Sequence, residues 1–464
     1  MNNTLVEKPF RLSFADGCLV TEDTPPKETE GLSHFIYDER TKQFRAKASS
    51  YREIILELKK AGHTLQDNAS NYKKIPLPLK KPIHARAHQT SALEAWLQTK
   101  KGVVVLPTGA GKTILAILAI SQIERSTLII VPTIDLLNQW CEVLSAFFTE
   151  PIGALGGGER QYANIMVSTY DSARLMIEAR GNSFGFLIVD ECHRLPSSQN
   201  RLIAEACLAP FRLGLTATVE RQDKAEELLY ELMGELVYEA KITDMVEKVL
   251  APYDVIRIDA VLSVEEKKEY QTCRNLYTQF LRQNRINFNE QGAWHQFIIR
   301  ASQSPTGKEA FRAYHRQKKI PQWAEEKFHH LWNILQAHTH DSLIIFTDDN
   351  QVAYRIARTF FIAAITHKTK AKERSHLLTA FRNGSLKILV TSRVLNEGVD
   401  VPEARVGVVF SGTGAVREHV QRLGRILRNT PGKRAVLYEL VTADTNEQFV
   451  NERRRQHHAY QNAH

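Results

Sequence analysis

The chain has 464 residues, a formal net charge of +9, 43% hydrophobic residues and 24% charged residues. This length predicts about three to four domains, and the composition is that of a soluble globular protein whose mild basicity is compatible with nucleic acid. No apolar run approaches the roughly 20 residues of a membrane span, and no signal peptide core is evident. The five cysteines are dispersed, without zinc motif or disulfide framework, so a cytoplasmic protein with no membrane partner is expected.

Residues 1–72 are predicted to form a small unit with both strands and a helix. Asp16–Gly17 predicts a hairpin turn between two short strands, because this dipeptide readily adopts the positive φ angles of tight hairpins. Ser50 and Glu53 predict a capping box at the start of a helix whose apolar residues recur at helical spacing. Residues 73–82 contain three prolines and several lysines, which predicts a solvated linker.

Residues 83–250 alternate apolar runs with helical stretches. This alternation predicts a mostly parallel sheet covered by helices on both faces, which is an α/β fold. The predicted strands end near Leu106, Val131, Ser168, Val189 and Leu215.

A glycine loop follows the first of these strands and precedes a helical stretch. Its residues are Pro107, Thr108, Gly109, Ala110, Gly111, Lys112 and Thr113. Glycines let backbone N–H groups turn toward a triphosphate, and the N-terminus of the next helix favours the same negative charge. Lys112 is placed to reach the β- and γ-phosphates, and Thr113 to bind Mg²⁺. Leu106 replaces the first glycine of the general pattern, and the alternative is a glycine-rich loop with an incidental lysine.

A pair of carboxylates follows the apolar strand at residues 186–189. Asp190 and Glu191 open the tetrapeptide that ends in Cys192 and His193. A carboxylate at a strand tip beside a phosphate loop can hold Mg²⁺, so Asp190 is a candidate metal ligand, and Glu191 can orient or deprotonate the attacking water. By itself the tetrapeptide is compatible with an ordinary charged strand end. Together with the glycine loop, it predicts the core of a nucleoside triphosphatase.

Residues 262–330 are helical in character, and residues 265–327 carry 12 Lys/Arg against 7 Asp/Glu. Aromatic residues are interleaved with the basic ones. Basic side chains contact phosphates and aromatic rings stack on bases, which indicates a nucleic-acid-binding insertion. The alternative is that the rings pack a helical hairpin, and this is preferred for about two-thirds of them.

Residues 331–464 contain strand-like runs at 343–346, 388–390, 406–410 and 436–438. Near the end lies the basic segment Gln421–Arg428, in which Arg425 and Arg428 are three residues apart and therefore share one side of a helix. Two guanidinium groups on one side can grip a γ-phosphate from across a cleft. The alternative is a solvated basic helix face.

The motifs, taken in order, resemble those of superfamily 2 helicases over roughly residues 80–445. Further matching segments are Arg86–Gln89, Val131–Thr133, Ser168–Tyr170, Thr216–Thr218 and Thr391–Asp400. Within this superfamily the chain most resembles the XPB family in its short archaeal and bacterial form. This similarity rests on residues 36–52, on residues 220–223 and on a helical insertion between the lobes. Gln222 departs from the family's Glu, and His88 from its Tyr.

The resemblance implies an α/β fold of two tandem RecA-like parallel-sheet lobes, at residues 83–250 and 331–464. It adds a small α+β N-terminal domain at residues 1–72 and a helical thumb-like insertion at residues 262–330. The implied cofactors are ATP and Mg²⁺. The implied catalytic residues are Lys112, Glu191, Gln421, Arg425 and Arg428. The implied nucleotide-binding residues, besides the glycine loop, are Arg86, Gln89, Asp190, Gly398 and Asp400. The implied DNA contacts are Ser168, Thr169, Arg221, Asp223, Thr391, Ser392 and Arg393.

The function implied by the resemblance is that of an ATP-dependent DNA helicase or translocase. It would move 3′ to 5′ on single-stranded, forked or damaged DNA in repair, with a nuclease as the partner protein that the archaeal family suggests. A DNA-docking role and a purely stabilising role are both open for the N-terminal domain. Two other functions compete: a motor subunit of a restriction or recombination system, and a nucleic-acid-binding scaffold gated by ATP. Turnover stimulated by DNA separates the motors from the scaffold.

Overall fold

The computed structural model describes residues 9–25, 34–107, 109–217, 226–240, 253–288, 290, 292–392, 404–411 and 435–448. These residues fall into two compact units, one within residues 1–244 and the other within residues 245–464. Each unit contains a parallel sheet with helices, which is the α/β class that the sequence predicts. In the described parts of the chain, no helix is both long enough and apolar enough to cross a membrane.

The N-terminal domain is a small mixed sheet with a helix against it. Its elements are β1 (Phe10–Ala15), β2 (Cys18–Thr21), β3 (Ile36–Asp38), β4 (Gln43–Lys47), α1 (Tyr51–Lys60) and β5 (Leu65–Asn68), with the strands in the order β3-β4-β2-β1-β5. The predicted hairpin is confirmed, because Asp16 and Gly17 join antiparallel β1 and β2 at φ angles of 48° and 73°. A Cβ atom on Gly17 would lie 2.9 Å from Cβ of Ala206, so this turn packs closely against the first lobe.

The predicted capping box at the start of α1 is wrong. A short 3₁₀ turn over Ala48–Ser50 runs into the helix, which leaves Ser50 with helical dihedral angles and its side chain without a capping hydrogen bond. Glu53 instead lies 3.1 Å from Nζ of Lys101 in the first lobe. The predicted apolar face is confirmed, since the α1 side chains at helical spacing are buried in a core that also contains Leu208 of the first lobe.

The first lobe is a sheet whose central strands are buried along their whole length. Its strands are β6 (Lys101–Val105), β7 (Thr127–Val131), β8 (Ile152–Gly156), β9 (Glu159–Gln161), β10 (Ile165–Thr169), β11 (Phe186–Asp190), β12 (Phe211–Thr216) and β13 (Leu236–Glu239). Their order is β13-β6-β12-β11-β7-β10-β8-β9, and the described pairs are parallel except β8 with β9. The predicted strand positions are confirmed. Parallel pairing brings the carboxyl ends of β6, β10 and β11 to one edge, where ligands bind in such sheets.

Helices cover this sheet and connect its strands. They are α2 (Ala87–Thr99), α3 (Lys112–Ile123), α4 (Ile134–Phe147), α5 (Tyr170–Arg180), α6 (Arg201–Glu205) and α7 (Glu226–Met233). A buried arginine ties several of these elements together, because the Arg212 guanidinium on β12 donates to the carbonyl oxygens of Ala204, Cys207, Ala209 and Leu232. The linker is only partly solvated, because Leu77 is buried.

The second unit is built on another parallel sheet. Its strands are β14 (Tyr253–Ala260), β15 (Leu343–Phe346), β16 (Ala363–Ile365), β17 (Ile388–Thr391), β18 (Val406–Val409) and β19 (Ala435–Thr442), in the order β14-β19-β18-β15-β17-β16. Its helices are α8 (Val264–Gln283), α9 (Ala293–Ser302), α10 (Pro305–Lys319), α11 (Glu325–Ala337), α12 (Asn350–Phe360) and α13 (Ala371–Arg382). β14 pairs with β19 along its full length. The sequence alone suggests that the helical insertion lies between the two lobes. The structure shows instead that β14, which precedes the insertion, is already part of the second sheet.

Helices α8, α9 and α10 enclose an aromatic cluster. Tyr277, Phe280 and Phe297 are buried in it, while Phe288 and Trp294 remain 40% and 42% exposed at its edge. Most of the rings therefore pack the helices, as preferred from the sequence, and exposed rings are the minority. Helix α8 begins with a capping box of its own, formed by Ser263 and Glu266.

Candidate active site

The glycine loop turns sharply before α3. Gly109 and Gly111 have φ angles of 85° and 89°, and Gly111 caps the N-terminus of the helix. A Cβ atom on Gly111 would lie 2.1 Å from Nε2 of Gln89, so another residue would be strained at this φ angle and would displace the Gln89 amide. The loop therefore presents the N-terminus of α3, with Lys112 and Thr113 as its first residues, at the carboxyl end of β6.

Two side chains at the start of α2 hold this loop. Nε2 of Gln89 donates to the carbonyl oxygens of Ala110, at 3.1 Å, and Gly111, at 3.4 Å, while its Oε1 accepts from N of Arg86. Nε2 of His88 lies 2.8 Å from the same Ala110 oxygen, which can only accept, so this ring nitrogen carries the proton. His88 thus supports the glycine loop, together with the predicted nucleotide-binding residue Gln89.

Asp190 and Glu191 lie at the carboxyl end of β11, beside the loop. Nζ of Lys112 is 3.3 Å from Oε1 of Glu191, which brings the predicted lysine and both predicted carboxylates together. Burial raises the pKa of Asp190, and the positive charge of Lys112 opposes that rise. Glu191 has a φ angle of 51°, a left-handed conformation that non-glycine residues seldom adopt.

The conformation of this pair is fixed by neighbouring side chains to which the sequence assigned no role at the carboxylates. Oδ1 of Asp190 accepts from N of Glu191 at 3.0 Å, and Oδ2 accepts from the indole Nε1 of Trp140 at 3.1 Å. The Tyr170 hydroxyl lies 3.2 Å from the carbonyl oxygens of both carboxylate residues. His193 was noted only as part of the tetrapeptide, and its Nδ1 lies 3.4 Å from Oε2 of Glu191. Trp140 and Tyr170 are 50 and 20 residues from Asp190 in the sequence, so no local pattern reveals their contacts with it.

The donor set suits Mg²⁺. This ion takes one or two carboxylates and completes its shell with phosphate oxygens and water. Asp190 supplies one buried carboxylate, and Thr113 supplies a hydroxyl in the first turn of α3. Within the described residues no three His, Cys, Asp or Glu side chains cluster to form a self-sufficient metal site. One carboxylate and one hydroxyl are protein ligands that Mg²⁺ would take together with nucleotide phosphates.

The predicted DNA-contacting hydroxyls lie at equivalent strand ends in the two units. Ser168 at the end of β10 donates to the carbonyl oxygen of Thr169 at 3.1 Å, and Thr391 at the end of β17 donates to that of Ser392 at 2.8 Å. All four residues are at most 8% exposed. Their contact with DNA stays a prediction. The other predicted site residues lie outside the described residues: Thr108, Arg221, Asp223, Arg393, Gly398, Asp400, Gln421, Arg425 and Arg428.

Three family models match the chain. The ERCC3/RAD25/XPB C-terminal helicase model matches residues 309–462, and the xeroderma pigmentosum group B helicase damage recognition domain matches residues 12–69. The model of the res subunit of type III restriction enzymes matches residues 82–221.

Relatives match over most of the chain. It is 40% identical to the DNA 3'-5' translocase XPB2 of Sulfurisphaera tokodaii over 81% of this chain and 85% of that protein. It is 29% identical to the DNA 3'-5' helicase XPB of Mycobacterium tuberculosis over 78% of this chain and 61% of that protein. It is 27% identical to the putative DNA 3'-5' helicase Rad25 of Halobacterium salinarum over 84% of this chain and 60% of that protein. The chain thus spans less than two thirds of the latter two.

Solved structures share the fold at low sequence identity. The Pyrococcus furiosus Hef helicase domain aligns with a TM-score of 0.51 and 18% identity, over 80% of this chain and 98% of that one. Saccharomyces cerevisiae Dbp5, bound to RNA and ADP BeF3, aligns with a TM-score of 0.54 and 14% identity, over 90% of this chain and 92% of that one. These likenesses show the two-lobed α/β helicase fold alone. The relationship to the XPB2 translocase goes further, and this chain belongs to the XPB-like family of superfamily 2 DNA helicases.

Proposed function

We propose that this protein is an ATP-dependent DNA translocase that moves 3′ to 5′ and acts in DNA repair. The observation that carries the proposal is the convergence of Lys112, Asp190 and Glu191 at the glycine loop, where Lys112 and Glu191 are 3.3 Å apart. The 40% identical relative that is named a DNA 3'-5' translocase supports the direction and the DNA partner. A nuclease partner is part of the proposal and is drawn from the family resemblance. A cytoplasmic location is also part of it and is drawn from the dispersed cysteines.

In this mechanism each loop residue has its own task. Backbone N–H groups of residues 109–113 bind the phosphates, aided by the helix dipole of α3, and Lys112 neutralises the β- and γ-phosphate charge. Thr113 and Asp190 would hold Mg²⁺, which neutralises charge that develops on the phosphate oxygens. Glu191 orients the attacking water and accepts its proton. Since Lys112 already contacts Glu191, phosphate binding at Lys112 also affects the position of Glu191.

The second lobe completes the reaction in this proposal. Arg425 and Arg428 stabilise the charge on the γ-phosphate, and Gln421 assists them, as the family resemblance implies. Gly398 and Asp400 belong to the motif that links DNA to the nucleotide. Lobe closure on ATP and opening after hydrolysis would then move DNA contacts of the two lobes past each other.

The experiment measures ATP hydrolysis without nucleic acid, then with single-stranded, duplex and forked DNA, and with RNA. We expect strong stimulation by DNA. Lys112→Ala is expected to abolish hydrolysis and to leave DNA binding largely intact, because Lys112 serves the phosphates. Lys59→Ala, at an exposed position of the N-terminal domain, is the matched control and should keep full activity. Equal loss of hydrolysis and DNA binding in Lys112→Ala would contradict the assigned role. Intact DNA binding without stimulation in the wild type would favour the ATP-gated scaffold.

A motor subunit of a restriction system is the second candidate. The match of residues 82–221 to the type III restriction res subunit favours it, although that match is confined to the first lobe. Strand separation on forked DNA distinguishes the two motors. A repair helicase should lose this separation when Arg221 or Asp223 is changed to Ala, while its DNA-stimulated hydrolysis persists. Separation that is insensitive to both changes would favour the restriction motor.

A further inference from the structure

Tyr170 connects two parts of the first lobe that carry different tasks. It is the first residue of α5 and directly follows Ser168 and Thr169, the predicted DNA contacts at the end of β10. Its hydroxyl lies 3.2 Å from the carbonyl oxygens of Asp190 and of Glu191 at the end of β11. Strand β7 lies between β10 and β11, so this contact bridges two strand spacings, about 10 Å.

The peptide that Tyr170 contacts is a constrained one. Glu191 has left-handed dihedral angles, with φ 51° and ψ 48°, which non-glycine residues seldom adopt because they bring Cβ close to the backbone. The carbonyl oxygen of Glu191 also accepts from N of Arg194, in the 3₁₀ turn that follows. The Tyr170 hydroxyl is thus a second donor to the residue whose side chain must face the water. Burial raises the pKa of Tyr170, so the hydroxyl keeps its proton at neutral pH.

The other end of the connection is a helix N-terminus. Thr169 caps α5, because its Oγ1 accepts from N of Ser172 at 3.4 Å. A DNA phosphate at the first turn of α5 would compete with Thr169 for the N–H of Ser172. Because Tyr170 is the next residue along the chain, a change at this cap would be passed to its ring. The Tyr170 hydroxyl therefore connects this cap to the backbone of Asp190 and Glu191.

We propose that Tyr170 is a positioning residue that transmits DNA contact at the start of α5 to the peptide carrying Asp190 and Glu191. This inference rests on the proposed function, specifically on DNA contact at the end of β10. The physical step is the shift of one hydrogen bond, which changes how firmly Glu191 is held in its left-handed conformation. Tyr170 does not touch the nucleotide in this proposal.

The test measures binding before it measures activity. The affinity for a fluorescent non-hydrolysable ATP analogue with Mg²⁺ is determined with and without saturating single-stranded DNA, and the ratio of the two is the coupling factor. Tyr170→Phe removes only the hydroxyl. We expect the coupling factor to fall about fivefold to tenfold, the factor that corresponds to one hydrogen bond of ordinary net strength. Nucleotide affinity without DNA and DNA affinity without nucleotide should each stay within about twofold of wild type.

Tyr51→Phe is the matched control, because the hydroxyl of Tyr51 also donates to a partner, Asp67 of the N-terminal domain, at 2.6 Å. It should leave the coupling factor unchanged. In steady-state assays, Tyr170→Phe should raise KM for ATP about fivefold to tenfold with DNA and leave KM without DNA unchanged, whereas a merely structural defect would change KM under both conditions.

An unchanged coupling factor in Tyr170→Phe would overturn the inference and leave the proposed function standing. The same holds if Tyr170→Phe weakens nucleotide binding equally with and without DNA, since the hydroxyl would then stabilise the site alone. If DNA changes neither the nucleotide affinity nor the rate of ATP hydrolysis of the wild-type protein, the proposed function is overturned and this inference with it.

Discussion

Replacing Arg212 tests how one buried cation holds the first lobe together. The side chain is 2% exposed, and its guanidinium donates to four backbone carbonyls at distances from 2.7 to 3.1 Å. The acceptors belong to α6, to α7 and to the segment between α6 and β12. Among the described contacts of its side chain, every hydrogen-bond acceptor is a carbonyl oxygen and none is a carboxylate. Arg212→Met keeps the apolar stem and removes all four hydrogen bonds.

The expected loss follows from opposing contributions. Hydrogen bonds from a charged donor contribute about 1.5–3 kcal/mol each, but burying a guanidinium costs several kcal/mol, and burial accordingly lowers the pKa of Arg212. Removing the cation leaves four buried carbonyl oxygens without this donor, so we expect a loss of about 3–5 kcal/mol in the free energy of unfolding. Arg212→Lys should still lose about 2 kcal/mol, because an ammonium group cannot match the fork of a guanidinium.

Urea unfolding of the full chain, followed by circular dichroism, measures this loss at the transition that involves the first unit. Arg201→Met at an exposed position of α6 is the matched control and should change the free energy by less than about 0.5 kcal/mol. A loss below about 1 kcal/mol in Arg212→Met would refute the reasoning, since it would mean that desolvation cancels the four hydrogen bonds.

Three further predictions concern single contacts. Trp140→Phe removes the indole hydrogen bond that orients the Asp190 carboxylate, so the Mg²⁺ concentration for half-maximal hydrolysis should rise about fivefold to tenfold. An unchanged Mg²⁺ titration would show that Trp140 does not orient a metal ligand. Gly111→Ala should weaken nucleotide binding at least about tenfold in a direct titration, because its φ is 89° and the new Cβ meets Gln89; wild-type affinity would show that the loop adapts. Hydrogen bonding to His338, with the charge of Arg405, lowers the pKa of Asp341. Asp341→Asn should therefore cost up to about 1 kcal/mol near neutral pH, and this cost should vanish as the pH falls through the lowered pKa; urea midpoints that show a constant cost would exclude the ion pair as its source.

The strands of the first lobe were predictable because buried parallel strands are continuous apolar runs. Residues 127–131 and 186–190 are buried along their whole length, and each run stands out between helical stretches. Strand β14 was missed for the opposite reason. It lies at the edge of its sheet, and Asp254, Arg257 and Asp259 interrupt its apolar pattern. Its place is decided by pairing with β19, roughly 180 residues later, and sequence periodicity carries no information on such pairing.

The residues of the candidate site also fall into a group that the sequence predicts and a group that it does not. Lys112, Asp190 and Glu191 were predictable because local chemistry defines them: a glycine loop before a helix, and carboxylates after a buried strand. Trp140 and Tyr170 contact Asp190 from 50 and 20 residues away in the sequence, and no local pattern reveals these contacts, even though Tyr170 ends the matching segment Ser168–Tyr170. The false capping box has a tertiary cause as well, because Glu53 is engaged by Lys101 instead of by the start of its own helix.

The pairing of β14 with β19 decides where this chain can be divided. A fragment that begins at residue 331 would include β19, eight residues long, without its neighbour, and the open edge of a largely buried strand is a template for aggregation. A fragment that begins before Tyr253 keeps that edge covered. Chimaeras between related motors should follow the same boundary, because a junction at residue 331 would divide one sheet between two parents.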